Sequence, residues 1–206
     1  MNTAPRKDAY TTAQVSAITG LPRPAVHKAI EHSLIRPKRV NKGLASQRLL
    51  SKAQLVYLRM EATGLTSLPL ATRRRVAQAV ERDPEIDVMA LSEGNVILIN
   101  FKSARRDVAA GLRRLARASR MIASDAETMR GSPMYKGTRI PVEVVADMLS
   151  QGATVTEILE GYPALTREKV ELAPLYLQAF PRRGRPAQRP WSRSEPERIS
   201  EHPAGK

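Results

Sequence analysis

The sequence predicts a mainly α fold with a small β component, and two observations support this. A Ser or Thr followed three residues later by Gln or Glu recurs at Thr11, Ser51 and Thr154. This is the spacing of a capping box, in which the two side chains satisfy each other's free backbone donors at a helix start. Apolar residues follow each of these starts at helical spacing, whereas the β-rich stretches are few and short.

Length and composition limit the class of protein. The 206 residues could hold one or two small domains with tails. No apolar run approaches the ~20 residues of a membrane span, and the N-terminus lacks the apolar core of a signal peptide. We therefore expect a soluble, cytoplasmic protein with no membrane partner. The absence of cysteine excludes disulfides, thiolate zinc sites and a cysteine nucleophile.

The net charge of +14 is unevenly distributed. Lys and Arg minus Asp and Glu give +7 for residues 1–50 (nine minus two), +1 for 51–102 (seven minus six) and +5 for 103–121 (six minus one). The same count gives −3 for 122–180 (five minus eight) and +4 for 181–206 (seven minus three). A basic front half suggests a polyanion partner, although any one segment could simply be a basic, solvated surface.

Residues 8–62 have the pattern of a helix-turn-helix followed by a wing. A short helix after Thr11 is broken by Gly20, and Pro22 suits the first turn of a second helix, which would enter the major groove. Two short strands around Asn41-Lys42-Gly43 would form the wing, and Ser51 would cap a third helix. His27 is only a possible contact, because a lone helical His is more often a surface residue. The candidate DNA-binding residues are Arg23, His27, Lys28, Arg36, Lys38, Arg39 and Lys42.

From Tyr10 to Leu58 this pattern resembles the winged helix-turn-helix of MerR-type regulators. In that family a Thr-x-x-x-Val start, a Gly turn and a Leu-Ile-x-Pro exit occur in the order found here. The resemblance implies DNA binding, and use of the module as a dimer scaffold is the alternative.

Residues 65–121 are predicted to connect two modules. A helix ending at Asp83-Pro84 has Arg73-Arg74-Arg75 as a mostly solvated face, and a hairpin pairs residues 86–91 with 96–101 around the turn 92–95. Two strands alone are marginally stable, so the hairpin needs the neighbouring helices or a second copy of the chain, which favours a homodimer. Residues 103–121 then form an amphipathic helix with six arginines, whose basic face could bind DNA, bind an acidic protein or simply be solvated.

Residues 122–180 are predicted to form three helices. Residues 131–142 read Gly-Ser-Pro-Met-Tyr-Lys-Gly-Thr-Arg-Ile-Pro-Val, which requires two turns around a short extended piece before a helix. Gly152 ends that helix, Thr154 opens the second and Thr166 caps the third.

This segment resembles the family called domain of unknown function four-three-three over roughly 122–178. The resemblance lies in Gly-Thr-Arg-Ile-Pro-Val, a Thr-capped helix with Glu-Ile-Leu, and Tyr-Pro-x-Leu-Thr-Arg-Glu, in that order. Members are known or predicted VapB-type antitoxins with a trihelical, helix-turn-helix-like domain, and they pair with PIN-like ribonuclease toxins. Two features depart from the family: Arg130-Gly131-Ser132-Pro133 replaces Gly-Gly-Lys-Pro, and Pro174 interrupts the last helix. We expect a kink near Leu172, or a helix that starts anew there.

The tail, residues 181–206, is rich in Pro and Arg and is predicted to be disordered by itself. It nevertheless contains the only tryptophan, and Trp and Arg commonly anchor interfaces. The tail could fold onto a toxin, with an arginine reaching the toxin's metal-binding carboxylates. Unstructured filler and an AT-hook around Arg183-Gly184-Arg185-Pro186 are the alternatives. The candidate toxin-binding residues are Arg185, Arg189, Trp191 and Arg193.

Catalysis has little support in the sequence. Three scattered histidines form no metal or acid/base spacing, and no Gly-rich phosphate loop is present, so we expect no catalytic residues, metal or cofactor. The predicted domains are 1–64, 65–121, 122–180 and the tail 181–206. The sequence favours an antitoxin of a type II toxin-antitoxin system that neutralises a PIN-like ribonuclease toxin and, as a homodimer, binds operator DNA to repress its own operon. The alternative is a stand-alone dimeric MerR-like transcriptional regulator without a toxin partner.

Overall fold

The protein is mainly α-helical with a small β component, as the sequence predicts. A computed structural model describes residues 9–42, 45–93, 95–123 and 132–181. Eight α-helices lie within these residues, and a short 3-10 turn, Leu65–Ser67, follows the third. The helices are α1 (Thr12–Thr19), α2 (Arg23–Glu31), α3 (Lys52–Ala62), α4 (Leu70–Arg82), α5 (Lys102–Met121), α6 (Val142–Ser150), α7 (Val155–Gly161) and α8 (Arg167–Ala179). No described helix has the length and apolar character needed to cross a membrane.

The described strands form three small antiparallel sheets. The first has the order β1-β3-β2, the second is the hairpin β4-β5 and the third pairs β6 with β7. The strands β2 and β3 are consecutive and antiparallel, as expected for the hairpin that the sequence predicts as a wing, but Asn41 and Lys42 pair with Ser46 and Ala45 and do not form the predicted turn. The strands are β1 (Tyr10–Thr11), β2 (Lys38–Lys42), β3 (Ala45–Leu50), β4 (Val88–Glu93), β5 (Asn95–Asn100), β6 (Ile122–Ala123) and β7 (Met134–Tyr135).

Local side-chain caps fix the helix starts. Thr11, Ser51 and Thr154 each form a complete capping box with the residue three positions later, as predicted. Thr166 caps α8 by accepting a hydrogen bond from the backbone N–H of Lys169 at 3.3 Å. These contacts span only three residues, so the sequence alone identifies them.

The core consists of two apolar clusters, and α5 and α8 each contribute side chains to both. The larger cluster contains side chains from α1 to α5 together with Ala179 of α8, and the smaller one gathers Ala118 of α5 with α6, α7 and α8. Gly111 lies where α5 crosses α1, since a Cβ there would stand 2.9 Å from Ile18 Cγ2 and 3.1 Å from its carbonyl oxygen. A side chain at position 111 would therefore push these two helices apart.

Three sequence predictions need correction. Arg73 does not lie on a solvated face, because its side chain is only 17% exposed and pairs with the buried Glu61. The central strands extend into the predicted turn, so that Glu93 lies opposite Asn95. Of the two outcomes expected from Pro174, a kink near Leu172 or a helix that starts anew there, the second is wrong, because α8 is a single helix through Pro174. Pro174 is exposed, and Arg74 and Arg75 are exposed as predicted.

Candidate nucleic-acid interface

The turn between α1 and α2 is fixed by hydrogen bonds at its centre. Gly20 adopts a left-handed conformation with φ of 76°, which a residue with a side chain rarely adopts, and its N–H bonds the Ser16 carbonyl. The Thr19 hydroxyl donates to the Val15 carbonyl at 2.8 Å and accepts from the Leu21 N–H at 3.2 Å. These local hydrogen bonds therefore fix the direction of α2 relative to α1.

Arg59 of α3 holds this turn from a distance. Its Nη1 donates to the Thr19 carbonyl at 3.0 Å, and its Nε and Nη2 donate to Asp107 Oδ2 of α5, each at 3.1 Å. One guanidinium thus ties the end of α1 to α3 and α5. The sequence analysis missed this residue, because its partners lie 40 and 48 positions away.

Helix α2 buries one side and exposes the predicted DNA-binding residues on another. Val26 and Ala29 are buried, whereas Arg23, His27 and Lys28 are exposed. Within the described part of the chain, none of these three side chains forms an ion pair or a side-chain hydrogen bond. Helix α2 therefore presents Arg23 on its first turn, and His27 and Lys28 one turn later, to solvent.

The wing, which follows α2 in the sequence, adds further exposed cations. Lys38 lies opposite Leu49 and Arg39 lies opposite Arg48, and both Lys38 and Arg39 are exposed. Lys42 is the last residue of β2, and its side chain lies outside the described part of the chain.

Arg36 is exposed between α2 and the wing, and a second positioning residue holds it there. The Gln54 Nε2 donates to the Arg36 carbonyl at 3.0 Å and to Glu81 Oε1 at 2.8 Å, while its Oε1 completes the Ser51 cap. The cap is readable from sequence spacing. The contacts with Arg36 and Glu81 are not, because they depend on how α3 packs.

Several basic side chains outside α2 and the wing are engaged in ion pairs. Arg59 binds Asp107, Arg73 binds Glu61, Arg105 binds Asp87 and Arg117 binds Glu168. These arginines join neighbouring elements of the fold, whereas the described cations of α2 and the wing have no such partners.

The Arg73–Glu61 pair is part of a buried group with Tyr57. The Tyr57 hydroxyl donates to Glu61 Oε1, and Arg73 Nε donates to the same oxygen at 2.8 Å. Burial, reinforced by the hydrogen bond to Glu61, raises the pKa of Tyr57, and Glu61 raises the pKa of Arg73. Tyr57 is therefore neutral and Arg73 charged at physiological pH, and together they neutralise and solvate the Glu61 carboxylate.

A second basic surface runs along α5. Residues spaced three, four or seven apart share one side of a helix, and five cations follow that spacing. Four of them are exposed with no ion pair among the described residues, and Arg117 is exposed but paired with Glu168. The five are Lys102, Arg106, Arg113, Arg117 and Arg120.

In the C-terminal domain, a buried tyrosine and a helix-capping glutamate have shifted pKa values, and two exposed cations lie in one turn. The buried Tyr135 donates to the Lys169 carbonyl at 3.1 Å, and burial raises the pKa of this tyrosine. A backbone hydrogen bond from Thr154 lowers the pKa of Glu157 at the start of α7. Lys136 and Arg139 are the exposed cations in the β7–α6 turn.

The predicted toxin-binding residues are not placed by the structure. Arg185, Arg189, Trp191 and Arg193 all lie outside the described residues. Within the described residues, no three His, Asp or Glu side chains are grouped as metal ligands would be.

Comparisons with known proteins give family information for the C-terminal part of the chain. A curated relative, the uncharacterized protein y4eO of Sinorhizobium fredii, is 41% identical over 71 residues. That match covers 34% of this chain and 32% of the relative, so the chain matches only about a third of that protein's length.

A solved structure, that of Rv2018 from Mycobacterium tuberculosis, matches 80% of this chain and 96% of its own, at 15% identity. Its TM-score of 0.32 is too low to support an argument about the fold. The model of the family described as "Protein of unknown function (DUF433)" matches residues 122–177. Residues 122–177 therefore form a domain of this family of unknown function, as the sequence motifs predict.

Proposed function

We propose that this protein is an antitoxin of a type II toxin-antitoxin system. In this proposal the winged segment, residues 10–62, binds operator DNA and represses the operon, and the C-terminal domain with its tail binds and neutralises a PIN-like ribonuclease toxin. The observation that carries the DNA-binding part is the set of exposed cations on α2 and β2, which have no ion-pair partner among the described residues.

Helix α2 has the features of a recognition helix. It follows a short helix and a tight glycine turn, and its exposed side carries Arg23 on the first turn, where such helices approach base edges, and His27 and Lys28 one turn later. Lys38 and Arg39 on the adjacent wing would contact phosphates, which position the protein on the duplex without reading sequence. A dimer would place two such helices in successive major grooves.

The toxin-binding part rests on the family of residues 122–177 and on charge. The sequence resemblance links this family to VapB-type antitoxins, and the segment has a net charge of −3 in a chain of +14. A surface of that charge is poorly suited to DNA, so a protein partner fits it better. The tail would add Trp191 as an apolar anchor and Arg185, Arg189 and Arg193 as ligands for the acidic side chains of a nuclease site.

Co-expression with the adjacent open reading frame tests the proposal. An antitoxin is expected to co-purify with a small nuclease and to restore growth of cells that express it. A chain that neither binds the adjacent product nor restores growth would contradict the toxin-binding part. Truncation after Phe180 then locates the inhibitory surface, because we expect loss of neutralisation with operator binding retained.

The stand-alone dimeric regulator remains the second candidate, and one contact favours it. Helix α8 packs against α1 and α5, Ala179 lies in the same apolar cluster as α1, and Gln178 Nε2 lies 3.5 Å from Ser16 Oγ. The C-terminal domain is thereby attached to the winged segment and could serve as its scaffold. Operator binding without any effect on the adjacent gene product would select this alternative.

A further inference from the structure

The β4-β5 hairpin has one covered face and one bare face. Residues that alternate along a strand point to opposite sides, and the register pairs Ala90 with Leu98. On one side, Leu91 is buried and Met89 and Ile99 pack against the larger apolar cluster. On the other side, Val88, Val96 and Leu98 are 52%, 70% and 68% exposed, and Ala90 is exposed beside them. We call these four residues the outer face.

The hairpin is held at its base, so the outer face is a defined platform. The Phe101 N–H donates to the Asp87 carbonyl at 2.9 Å. Arg105 Nη2 donates to the Asp87 carboxylate, and its Nη1 donates to the Ile86 carbonyl at 2.5 Å. These contacts fix both ends of the hairpin to the start of α5. The inner side of the hairpin stays packed on the larger apolar cluster, and among the described residues the outer face remains exposed.

Charge indicates what covers this face. In a two-fold symmetric contact each surface meets a copy of itself, so any net charge on it would repel its partner. The outer face carries no charged residue, and Glu93 is the only charged residue between Val88 and Asn100. The chain as a whole carries +14. The hairpin is thus a surface on which two such basic chains can meet without opposing cations.

We propose that the outer face, formed by Val88, Ala90, Val96 and Leu98, is the homodimer interface of this protein. The faces of two hairpins stack across a two-fold axis, as the inner faces of two packed sheets do. Such a dimer would bury the outer face, which the neighbouring helices leave exposed, while the inner side stays packed on the larger apolar cluster. The role of this dimer in operator binding rests on the proposed function, whereas the interface is argued from the hairpin itself.

Single-cysteine cross-linking tests the interface, because the chain contains no cysteine of its own. Ala90→Cys places a thiol on the outer face, and Gln78→Cys places one on the exposed side of α4 as a matched control. We expect mild oxidation or a short bismaleimide to give a covalent dimer at position 90 and none at position 78. Equal cross-linking of both variants, or of neither, would overturn the proposal.

Sedimentation without DNA or toxin gives an independent readout and separates this inference from the proposed function. We expect the wild-type chain to be a dimer and Leu98→Glu to raise the dimer dissociation constant about 100-fold or more, because two carboxylates would be buried without partners. Gln78→Glu makes the control change in charge. Retained helical circular dichroism shows that Leu98→Glu folds, and Val96→Lys serves as a second variant. The proposed interface would be contradicted if the wild-type chain were monomeric or formed large aggregates. It would also be contradicted if the Leu98→Glu variant stayed dimeric.

Discussion

The winged segment and the C-terminal domain are built by the same local rules but differ in surface charge. Capping boxes start α1 and α3 in the first and α7 in the second, and a proline precedes both α2 and α6. Yet residues 1–50 carry +7 and residues 122–180 carry −3. Helix architecture alone therefore does not separate a nucleic-acid surface from a protein surface, and the charge of the exposed side chains is the better guide.

The basic residues of the N-terminal half also fall into two groups. Arg59 and Arg73 bind acidic partners and join helices, whereas Arg23, Lys28, Lys38 and Arg39 are exposed without ion pairs among the described residues. A count of positive charges treats both groups alike. Only the second group is free to bind phosphates, so substitutions in the two groups are expected to have different effects.

The largest expected effect belongs to the structural group. Arg73→Ala would leave the Glu61 carboxylate buried beside Tyr57 without its cation, which typically costs about 3–5 kcal/mol of folding free energy. Arg74→Ala, the neighbouring control, removes an exposed side chain whose Nη2 donates to the His32 carbonyl at 3.3 Å, and is expected to cost about 1 kcal/mol or less. Urea unfolding of both variants measures the difference. Similar losses in the two variants would show that Arg73 is not a structural cation.

The next effect sharpens the comparison between the two regions. Arg23→Ala combined with Lys28→Ala is expected to weaken operator binding by about 2–4 kcal/mol, roughly 30- to 1,000-fold, if both side chains contact the duplex. Lys136→Ala combined with Arg139→Ala removes the same charge from the C-terminal domain and is expected to change affinity by about threefold or less. Fluorescence anisotropy at one salt concentration compares the pairs. Equal losses would mean that net charge alone, and not the winged surface, drives binding.

A smaller effect separates the wing from the recognition helix. Lys38→Ala is expected to weaken binding to specific and unrelated duplexes alike, and to reduce the magnitude of the salt slope by about 1 for each chain bound, because a phosphate contact carries no sequence information. Arg23→Ala is expected instead to reduce discrimination between the two duplexes. Titrations at several salt concentrations measure both quantities. A loss of sequence discrimination in Lys38→Ala would assign base contacts to the wing.

The smallest effect tests whether the two regions share their local rules. Ser51→Ala and Thr166→Ala each remove one helix N-cap and are each expected to cost about 1 kcal/mol. Chemical denaturation of the two variants gives the values. If only one of the two variants lost folding free energy, the caps would not be equivalent in the two regions.

Much of the fold could be predicted because its signals are local. The caps at Thr11, Ser51, Thr154 and Thr166 span three residues, and the hairpin follows from two neighbouring β-rich stretches. The site was only partly predictable. Exposure of Arg23 follows from helical spacing, but the role of Arg59 depends on partners 40 or more positions away in the sequence.

Arg73 is a second residue whose role could not be predicted from the sequence. It stands in a run of three arginines, which is typical of a solvated helix face, and its burial follows from the position of Glu61 one helix earlier. The bare outer face of the hairpin was also unpredictable in detail, because apolar alternation does not tell which side the helices cover.

The salt dependence of operator binding tests the central claim most directly. We predict that the wild-type chain binds a duplex of its own promoter, and that the logarithm of the association constant falls linearly with the logarithm of salt concentration. About four phosphate contacts from each chain of a dimer, about eight in all, would give a slope of about −7, since each contributes about −0.9. Replacing Arg23, Lys28, Lys38 and Arg39 with Ala is expected to reduce the magnitude of that slope to roughly half or less, with Arg36 and Lys42 still present. No binding by the wild type at about 50 mM salt, or an unchanged slope in the fourfold variant, would contradict the claim that this surface binds nucleic acid.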